Sequence, residues 1–174
     1  MFTIRPIQER DADALYHLVE TNKQRIADYF PLTLEKAASA DVAKQSIQMY
    51  NLLSLKNKLH VLVMHDDAAA DGLVGIIFLK NIDAKTGKCE LAYFINEGHE
   101  GKGITSQMVM RAVDLAFNQL QLNKVCCRVV TDHASSNRVM QKTGFELEGV
   151  LRQEYRITDG TLKDLNYYGL LRTH

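Results

Sequence analysis

The stretch "NEGHEGKGITSQMVMRAVDLAF", residues 96–117, places three glycines immediately before a helical pattern. Gly98, Gly101 and Gly103 lie within six positions, and from residue 104 onward apolar residues recur at helical spacing. The first turn of a helix has backbone N–H groups without partners, and the helix dipole favours an anion there. Glycines let the backbone approach phosphate oxygens and adopt positive φ angles. The stretch therefore predicts a pyrophosphate-binding turn, although a glycine-rich turn that only caps the helix fits the same residues.

Strands and helices alternate on both sides of this turn. Before it, "LHVLVMH", "LVGIIFLKNI" and "TGKCELAYFIN" predict three strands, with a turn over 66–72 between the first two. After a helix over about 104–121, the pattern predicts a strand at 124–131 and a short helix at 135–144. Two further strands follow, joined by an Asp159-Gly160 turn.

The N-terminal part adds one strand and two helices. A strand at 2–7 precedes a helix over 9–30, Pro31 interrupts the pattern, and a second helix is predicted over about 39–57. Because no linker and no internal repeat separates these elements, the sequence fits one α/β domain.

Composition excludes several classes of protein. The 174 residues include 21 basic and 21 acidic side chains, so no overall charge favours nucleic acid. No apolar run reaches the about 20 residues that span a bilayer, and the charged N-terminus lacks a signal-peptide pattern. Three cysteines and six histidines show neither disulfide-framework nor metal-ligand spacing. We therefore expect a cytoplasmic protein that binds no metal, no nucleic acid directly and no membrane.

Two familiar phosphate motifs match the glycine stretch poorly. A Walker loop requires lysine where Ile104 stands, and the dinucleotide fingerprint requires a third glycine where Ser106 stands. A nucleotide-binding protein is therefore disfavoured.

Several segments resemble the GNAT superfamily of N-acetyltransferases, and they occur in that family's order. "EGKGIT", residues 100–105, resembles the R/Q-x-x-G-x-G/A motif that holds the pyrophosphate of acetyl-coenzyme A (acetyl-CoA). "SSNRVMQKTGFELEGVLRQ", residues 135–153, and "KDLNYYGLL", residues 163–171, resemble later segments of the family. The opening, residues 4–31, is similar to that of RimL-type ribosomal-protein N-terminal acetyltransferases. The resemblance implies one acetyltransferase domain over residues 1–174, of the α/β class, with a central mixed, mostly antiparallel sheet of about six to seven strands flanked by about four helices.

The resemblance also implies which residues contact acetyl-CoA, the expected cosubstrate. One group lies at the end of the strand before the glycines, where the family's strand separates from its neighbour: Phe94, Ile95 and Asn96. A second group forms the glycine loop and the start of its helix: Gly101, Lys102, Gly103, Ile104, Thr105 and Ser106. His133 and Ser136 lie around the start of the next helix. Three positions depart from the family's motifs. Glu100 replaces the leading Arg or Gln, Thr105 replaces the final Gly or Ala, and His133 replaces an Asn that commonly contacts the pantetheine arm.

Direct attack of an amine on the thioester, which the resemblance implies, requires a neutral amine. At pH 7 an α-amine with a pKa of about 8 costs about 1.4 kcal/mol to deprotonate, whereas a lysine at about 10.4 costs about 4.6 kcal/mol. An N-terminal amine thus needs only a weak base, and Glu90 is the candidate. The alternative is a solvated strand glutamate paired with Lys80 or Lys88.

Ser136 and Tyr168 are the candidates for the acid that protonates the leaving thiolate. Ser136 matches the serine of a family motif, and Tyr168 matches a tyrosine near the C-terminus of many members. The structural alternatives are a helix cap for Ser136 and a core aromatic for Tyr168. Tyr29 and Phe30 are expected either to wall the acceptor pocket or simply to pack.

The leading hypothesis is an acetyl-CoA-dependent N-acetyltransferase that acts on a protein N-terminal amine, with a ribosomal protein as partner. One alternative is an enzyme for a small amine such as a polyamine, an amino acid or an antibiotic. The other is a non-catalytic acyl-CoA-binding module. RimL-type relatives often dimerise, so the resemblance is also compatible with a homodimer.

Overall fold

A computed structural model describes residues 2–68 and 72–173, and a seven-stranded sheet forms its centre. The strands are β1 (Phe2–Pro6), β2 (His60–Asp66), β3 (Leu73–Asp83), β4 (Lys88–Ile95), β5 (Lys124–Val130), β6 (Glu146–Arg156) and β7 (Leu162–Leu171). Their order across the sheet is β1-β2-β3-β4-β5-β7-β6. The β4–β5 pair is parallel and the other five pairs are antiparallel, which confirms the predicted mixed, mostly antiparallel sheet.

Helices cover both faces of the sheet. They are α1 (Ala12–Ile26), α2 (Pro31–Lys36), α3 (Ala40–Leu55), α4 (Ile104–Asp114) and α5 (Ala134–Lys142). Apolar residues of α1 and α3 form one buried core with the sheet, and those of α4 and α5 form a second core on the opposite face. The buried residues of α1, α3 and α4 recur at helical spacing, as the sequence pattern predicts.

Residues 2–68 and 72–173 contain five α-helices rather than about four helices, because the helix predicted over 9–30 ends at Ile26 and a short one begins at Pro31. Proline suits the first position of a helix, where no backbone N–H is needed. It therefore begins α2 as well as separating it from α1. Of the turn predicted over 66–72, residues 69–71 lie outside the described part of the chain.

Strand β3 passes through the centre of the molecule and is buried on both faces from Leu73 to Leu79. Its Gly75 allows α4 to pack closely. A Cβ at this position would lie 3.0 Å from Ile95 Cγ2 and 3.3 Å from Met108 Sδ. This close packing fixes α4, and with it the glycine loop, against the sheet.

Strands β4 and β5 pair along only part of their length. Their parallel ladder joins Lys88–Leu91 to Lys124–Cys127. Beyond Leu91, β4 continues to Ile95 while β5 remains paired with β7. The two central strands therefore separate at their carboxyl ends, beside the glycine loop.

Candidate active site

A cavity of about 1200 Å³ lies where β4 and β5 separate, and its two sides differ in character. One side, the loop side, is lined by Gly101, Gly103, Thr105, Ser106, Ser136, Arg138 and Lys142. The other, the aromatic side, is lined by Tyr29, Phe30, Lys36, Tyr50, Lys80, Glu90 and Arg128. Strand β4 contributes the residues from Glu90 to Ile95 to the lining of the same cavity.

The glycine loop forms an open cradle at the start of α4. Gly101 and Gly103 both have φ of +74°, which glycine adopts without strain, and a Cβ at either would meet no atom within 4 Å. No side chain caps the N-terminus of α4, so its first-turn N–H groups have no side-chain partner. The cradle therefore fits a phosphate group. Ile104 offers only its backbone N–H, because its side chain is 1% exposed in the core.

Glu100 does not face the cradle as an isolated carboxylate. Arg25 of α1 reaches across, and its Nη1 lies 2.5 Å from Glu100 Oε1. The same guanidinium donates to Asn22 Oδ1 at 2.9 Å and to the Ile95 carbonyl. Arg25 lines the cavity, so the departure at Glu100 is accompanied by a cation that neutralises it.

Lys102 does not line the cavity. Its ammonium group donates to the Gly98 carbonyl at 3.0 Å and so stabilises the loop from outside. The backbone of Lys102 remains part of the cradle, but its side chain, which was predicted to contact the cofactor, is directed elsewhere.

Of the three β4-end residues predicted to contact the cofactor, Phe94, Ile95 and Asn96, only Ile95 has a backbone N–H that is not directed toward β3. The Asn96 N–H donates to the Val74 carbonyl at 2.8 Å, and Asn96 does not line the cavity. Bonded pairs alternate along an antiparallel ladder, so the Phe94 N–H is also directed toward β3. The N–H groups of Tyr93 and Ile95 are left facing the gap beside β5.

The Tyr93 hydroxyl is buried in the cavity wall without a partner. Among residues 2–68 and 72–173, no atom makes a hydrogen bond of standard geometry with it. Burial raises the pKa of Tyr93 far above its ordinary value, an effect that the nearby Ser136 side chain only partly offsets. Tyr93 is therefore a neutral phenol with a proton to donate to a bound group.

Ser136 lines the loop side but is not the helix cap. That position belongs to His133, whose Nδ1 accepts from the Ser136 N–H at 3.4 Å. The Ser136 hydroxyl stays beside Tyr93, on the cofactor-binding side predicted for it.

Tyr168 does not line the cavity and lies 2% exposed in the core. Its hydroxyl donates to Asn137 Oδ1 at 2.8 Å, and Asn137 in turn joins α5 to β5 and β7. The structure thus gives Tyr168 the core role that was the alternative in the sequence.

Glu90 lies on the floor of the cavity, 15% exposed, within a group of polar partners. Arg128 donates to both of its oxygens at 3.1 and 3.2 Å, Asn81 donates at 3.0 Å, and Lys80 Nζ lies 3.5 Å away. Burial alone would raise the pKa of Glu90, but Lys80, Arg128 and Asn81 together hold it below its ordinary value. Glu90 is therefore an ionised carboxylate and a weak base.

Tyr29 and Phe30 both line the aromatic side. Tyr29 stacks on Tyr155 of β6 with ring centroids 6.4 Å apart, and Phe30 meets Phe94 edge-on at 5.1 Å. The Tyr155 hydroxyl donates to the Asp28 carbonyl at 2.7 Å. The β6–β7 hairpin is thereby held against the segment between α1 and α2, and it closes this end of the cavity.

Arg25, Tyr93 and Arg128 also line the cavity, and they were not among the site residues predicted from the sequence. Arg128 gave a signal, since it is the one charge inside the apolar run of "VCCRVV". Nothing in the sequence marks Arg25 or Tyr93 as a site residue. An arginine on a helix surface and a tyrosine at an alternating position of a strand are both common.

Other kinds of site receive no support from the described residues. Within 2–68 and 72–173, no cluster of three His, Cys, Asp or Glu side chains could hold a metal ion. No helix in the same part of the chain is long and apolar enough to cross a membrane.

Comparison with known proteins gives consistent matches. The family described as "Acetyltransferase (GNAT) domain" matches residues 2–146. YdaF of Bacillus subtilis, provisionally named a ribosomal N-acetyltransferase, is 31% identical over 98% of this chain and 91% of its own length. Ribosomal-protein-S5-alanine acetyltransferase from Vibrio fischeri superposes with a TM-score of 0.90 at 20% identity, covering 98% of this chain and 92% of that one. Spermidine N-acetyltransferase from Vibrio cholerae, solved with CoA and spermine, superposes with a TM-score of 0.79 at 25% identity. The match covers 98% of this chain and 95% of that one.

Proposed function

This chain belongs to the GNAT acetyltransferase family, and we propose that it transfers the acetyl group of acetyl-CoA to the N-terminal α-amine of a protein. The whole of residues 1–174 would act as one acetyltransferase domain. The relationship to YdaF, with its ribosomal name, supports a ribosomal protein as the acceptor.

The proposal of an α-amine as the acceptor rests on Glu90, which is an ionised and ion-paired carboxylate. Paired with Arg128 and Lys80, its carboxylate has a lowered pKa and attracts protons weakly. An α-amine costs about 1.4 kcal/mol to deprotonate at pH 7, against about 4.6 kcal/mol for a lysine-like amine. A site with so weak a base is better suited to the α-amine.

The described residues fit acetyl-CoA through the open cradle at Gly101 and Gly103 and the unpartnered Tyr93 hydroxyl. Acetyl-CoA supplies a thioester, whose carbonyl carbon is attacked and whose sulfur leaves as a thiol. The cradle and the first-turn N–H groups of α4 would hold its pyrophosphate, with Arg25 nearby.

The residues beside the gap supply the remaining requirements of the reaction. The N–H groups of Tyr93 and Ile95 are the backbone donors available to the reacting carbonyl oxygen. Glu90 accepts the amine proton, directly or through water. The Tyr93 hydroxyl, kept neutral by burial, and the Ser136 hydroxyl beside it are the donors available to the leaving sulfur.

Thiol release from acetyl-CoA, measured with three acceptors, tests the proposal. The acceptors are a peptide with a free N-terminus and no lysine, an N-terminally blocked peptide with one lysine, and spermidine. We expect the first to give the highest kcat/KM. Faster turnover of spermidine or of the blocked peptide would overturn the choice of the α-amine.

A further inference from the structure

We propose, on the basis of the proposed function, that the aromatic side of the cavity binds an anionic group of the acceptor. The acceptor is then a peptide whose N-terminal residue is followed by Asp or Glu. The inference rests on the charges that line this side of the cavity.

Three cationic side chains and one carboxylate line the aromatic side. Lys80 lies directly across from Glu90 in the β3–β4 ladder. Arg128 comes from β5, where Glu90 is paired with Cys126 two positions earlier. Lys36 comes from α2, on the other wall. Lys80 and Arg128 therefore lie beside Glu90, and Lys36 lines the same cavity.

The single carboxylate cannot neutralise all three cations. Glu90 is shared between Arg128, at 3.1 Å, and Lys80, at 3.5 Å. The second ion pair of Arg128 is with Glu154, which lies 3.7 Å away and does not line the cavity. Side chains of Lys80 and Arg128 remain 39% and 34% exposed, so both can contact a bound molecule.

Lys36 adds a cation without a carboxylate partner. Within residues 2–68 and 72–173, no ion pair involves it, and its Nζ lies 5.5 Å from the centroid of the Tyr50 ring. The carboxylate at the other end of the cavity, Glu100, is already paired with Arg25. Lys36 is therefore a positive charge on the aromatic side with no carboxylate partner, and Lys80 and Arg128 are partly exposed beside it on the same lining.

This surplus decides between classes of acceptor. A polyamine brings further positive charges beside its reacting nitrogen, and like charges held near Lys36 and Lys80 repel it. A peptide with acidic residues after its first one places carboxylates where the cations lie. Charge complementarity therefore favours an acidic N-terminal segment.

The test compares kcat/KM for three peptides that differ only at positions 2–4, which are acidic, uncharged or basic. We expect the wild-type protein to prefer the acidic over the basic peptide by about 10-fold or more at low salt, and less so at high salt. In Lys36→Glu the preference should fall by about 10-fold. Lys44→Glu is the matched control, since Lys44 is exposed on α3 and does not line the cavity.

The outcomes separate this inference from the proposed function. Equal turnover of all three peptides, or an acidic preference that persists in both Lys36→Glu and Lys80→Gln, overturns the inference and leaves the N-terminal acetyltransferase standing. Turnover of spermidine with no turnover of any peptide overturns both.

Discussion

At the residue scale, the cradle depends on backbone conformation more than on side chains. Gly103 has left-handed φ, and its missing Cβ leaves open space at the cavity wall. Gly160 has φ of +89° and equally open surroundings, but it lies in the β6–β7 turn. The two glycines therefore form a matched pair.

Gly103→Ala should weaken acetyl-CoA binding by about 10-fold or more, because the added methyl group occupies space where the phosphates approach. Both Gly103→Ala and Gly160→Ala should lose about 1 kcal/mol of unfolding free energy from the strained φ. Calorimetric titration and chemical denaturation measure the two effects. Equal affinity in the two variants would mean that the phosphates bind elsewhere.

Tyr93 and Tyr168 should respond in opposite ways to removal of their hydroxyls. Tyr93→Phe should lower kcat about 10–100-fold, because a proton donor is lost. It should leave stability unchanged or raise it by about 1 kcal/mol, because a buried hydroxyl without a partner is removed. Tyr168→Phe should keep its activity and lose about 1 kcal/mol with the bond to Asn137. Full activity in Tyr93→Phe would exclude Tyr93 as the donor.

Glu90→Gln should lower kcat/KM about 10–100-fold at every pH from 6 to 9. The pKa of Glu90 is lowered, so the wild-type carboxylate is already ionised throughout this range. The wild-type rate should therefore rise with pH only until the acceptor amine is neutral, at about pH 8. Glu146→Gln, at an exposed carboxylate outside the cavity, is the control. An unchanged kcat/KM in Glu90→Gln would exclude Glu90 both as the base and as an acceptor-binding group.

At the scale of elements, one ion pair joins the first strand to the first helix. Arg5 of β1 donates to both oxygens of Asp11 at 2.7 Å, and the Gln8 N–H donates to the same carboxylate at 2.8 Å. The Asp11 side chain is 4% exposed. Burial would raise the pKa of Asp11, but Arg5 and the Gln8 N–H hold it below its ordinary value.

Asp11→Asn should cost about 3 kcal/mol of unfolding free energy at pH 7, because Arg5 loses its buried partner. Since the folded pKa of Asp11 is lowered, the wild-type advantage is present above the unfolded value of about 3.9 and is lost as pH falls through the folded pKa. Denaturation at pH 7 and near pH 3 measures the difference. Asp13→Asn, at an exposed residue in the first turn of α1, should cost less than about 1 kcal/mol. Equal losses in the two variants would contradict a stabilising role for the Arg5–Asp11 pair.

Elements with a regular local pattern could be predicted from the sequence, and their ends could not. The apolar run of β3 and the helical spacing of α4 specify those elements locally. The end of α1 at Ile26 is not encoded in the apolar pattern of 9–30, and α2, which begins at Pro31, is too short to give a helical pattern of its own. The separation of β4 from β5 could not be predicted from the sequence either, because it depends on how strands distant in sequence are paired.

At the scale of the whole molecule, the site is assembled from contacts between distant parts of the chain. The glycine cradle could be predicted because its chemistry lies in six consecutive residues. The Arg25–Glu100 pair joins residues 75 positions apart, and the Tyr155–Asp28 bond spans 127. Such pairs follow from the fold and from no local pattern, so the charge of the cavity could be determined only from the structure.

The most direct test of the proposed reaction is to locate the acetyl group by mass spectrometry. The substrate is one peptide with a free N-terminal serine and a single internal lysine, incubated with the protein and acetyl-CoA in the presence of equimolar spermidine. We expect the acetyl group on the N-terminal α-amine, with the lysine and the spermidine largely unmodified. Acetyl on the lysine or on spermidine, with a free α-amine, would contradict the proposal.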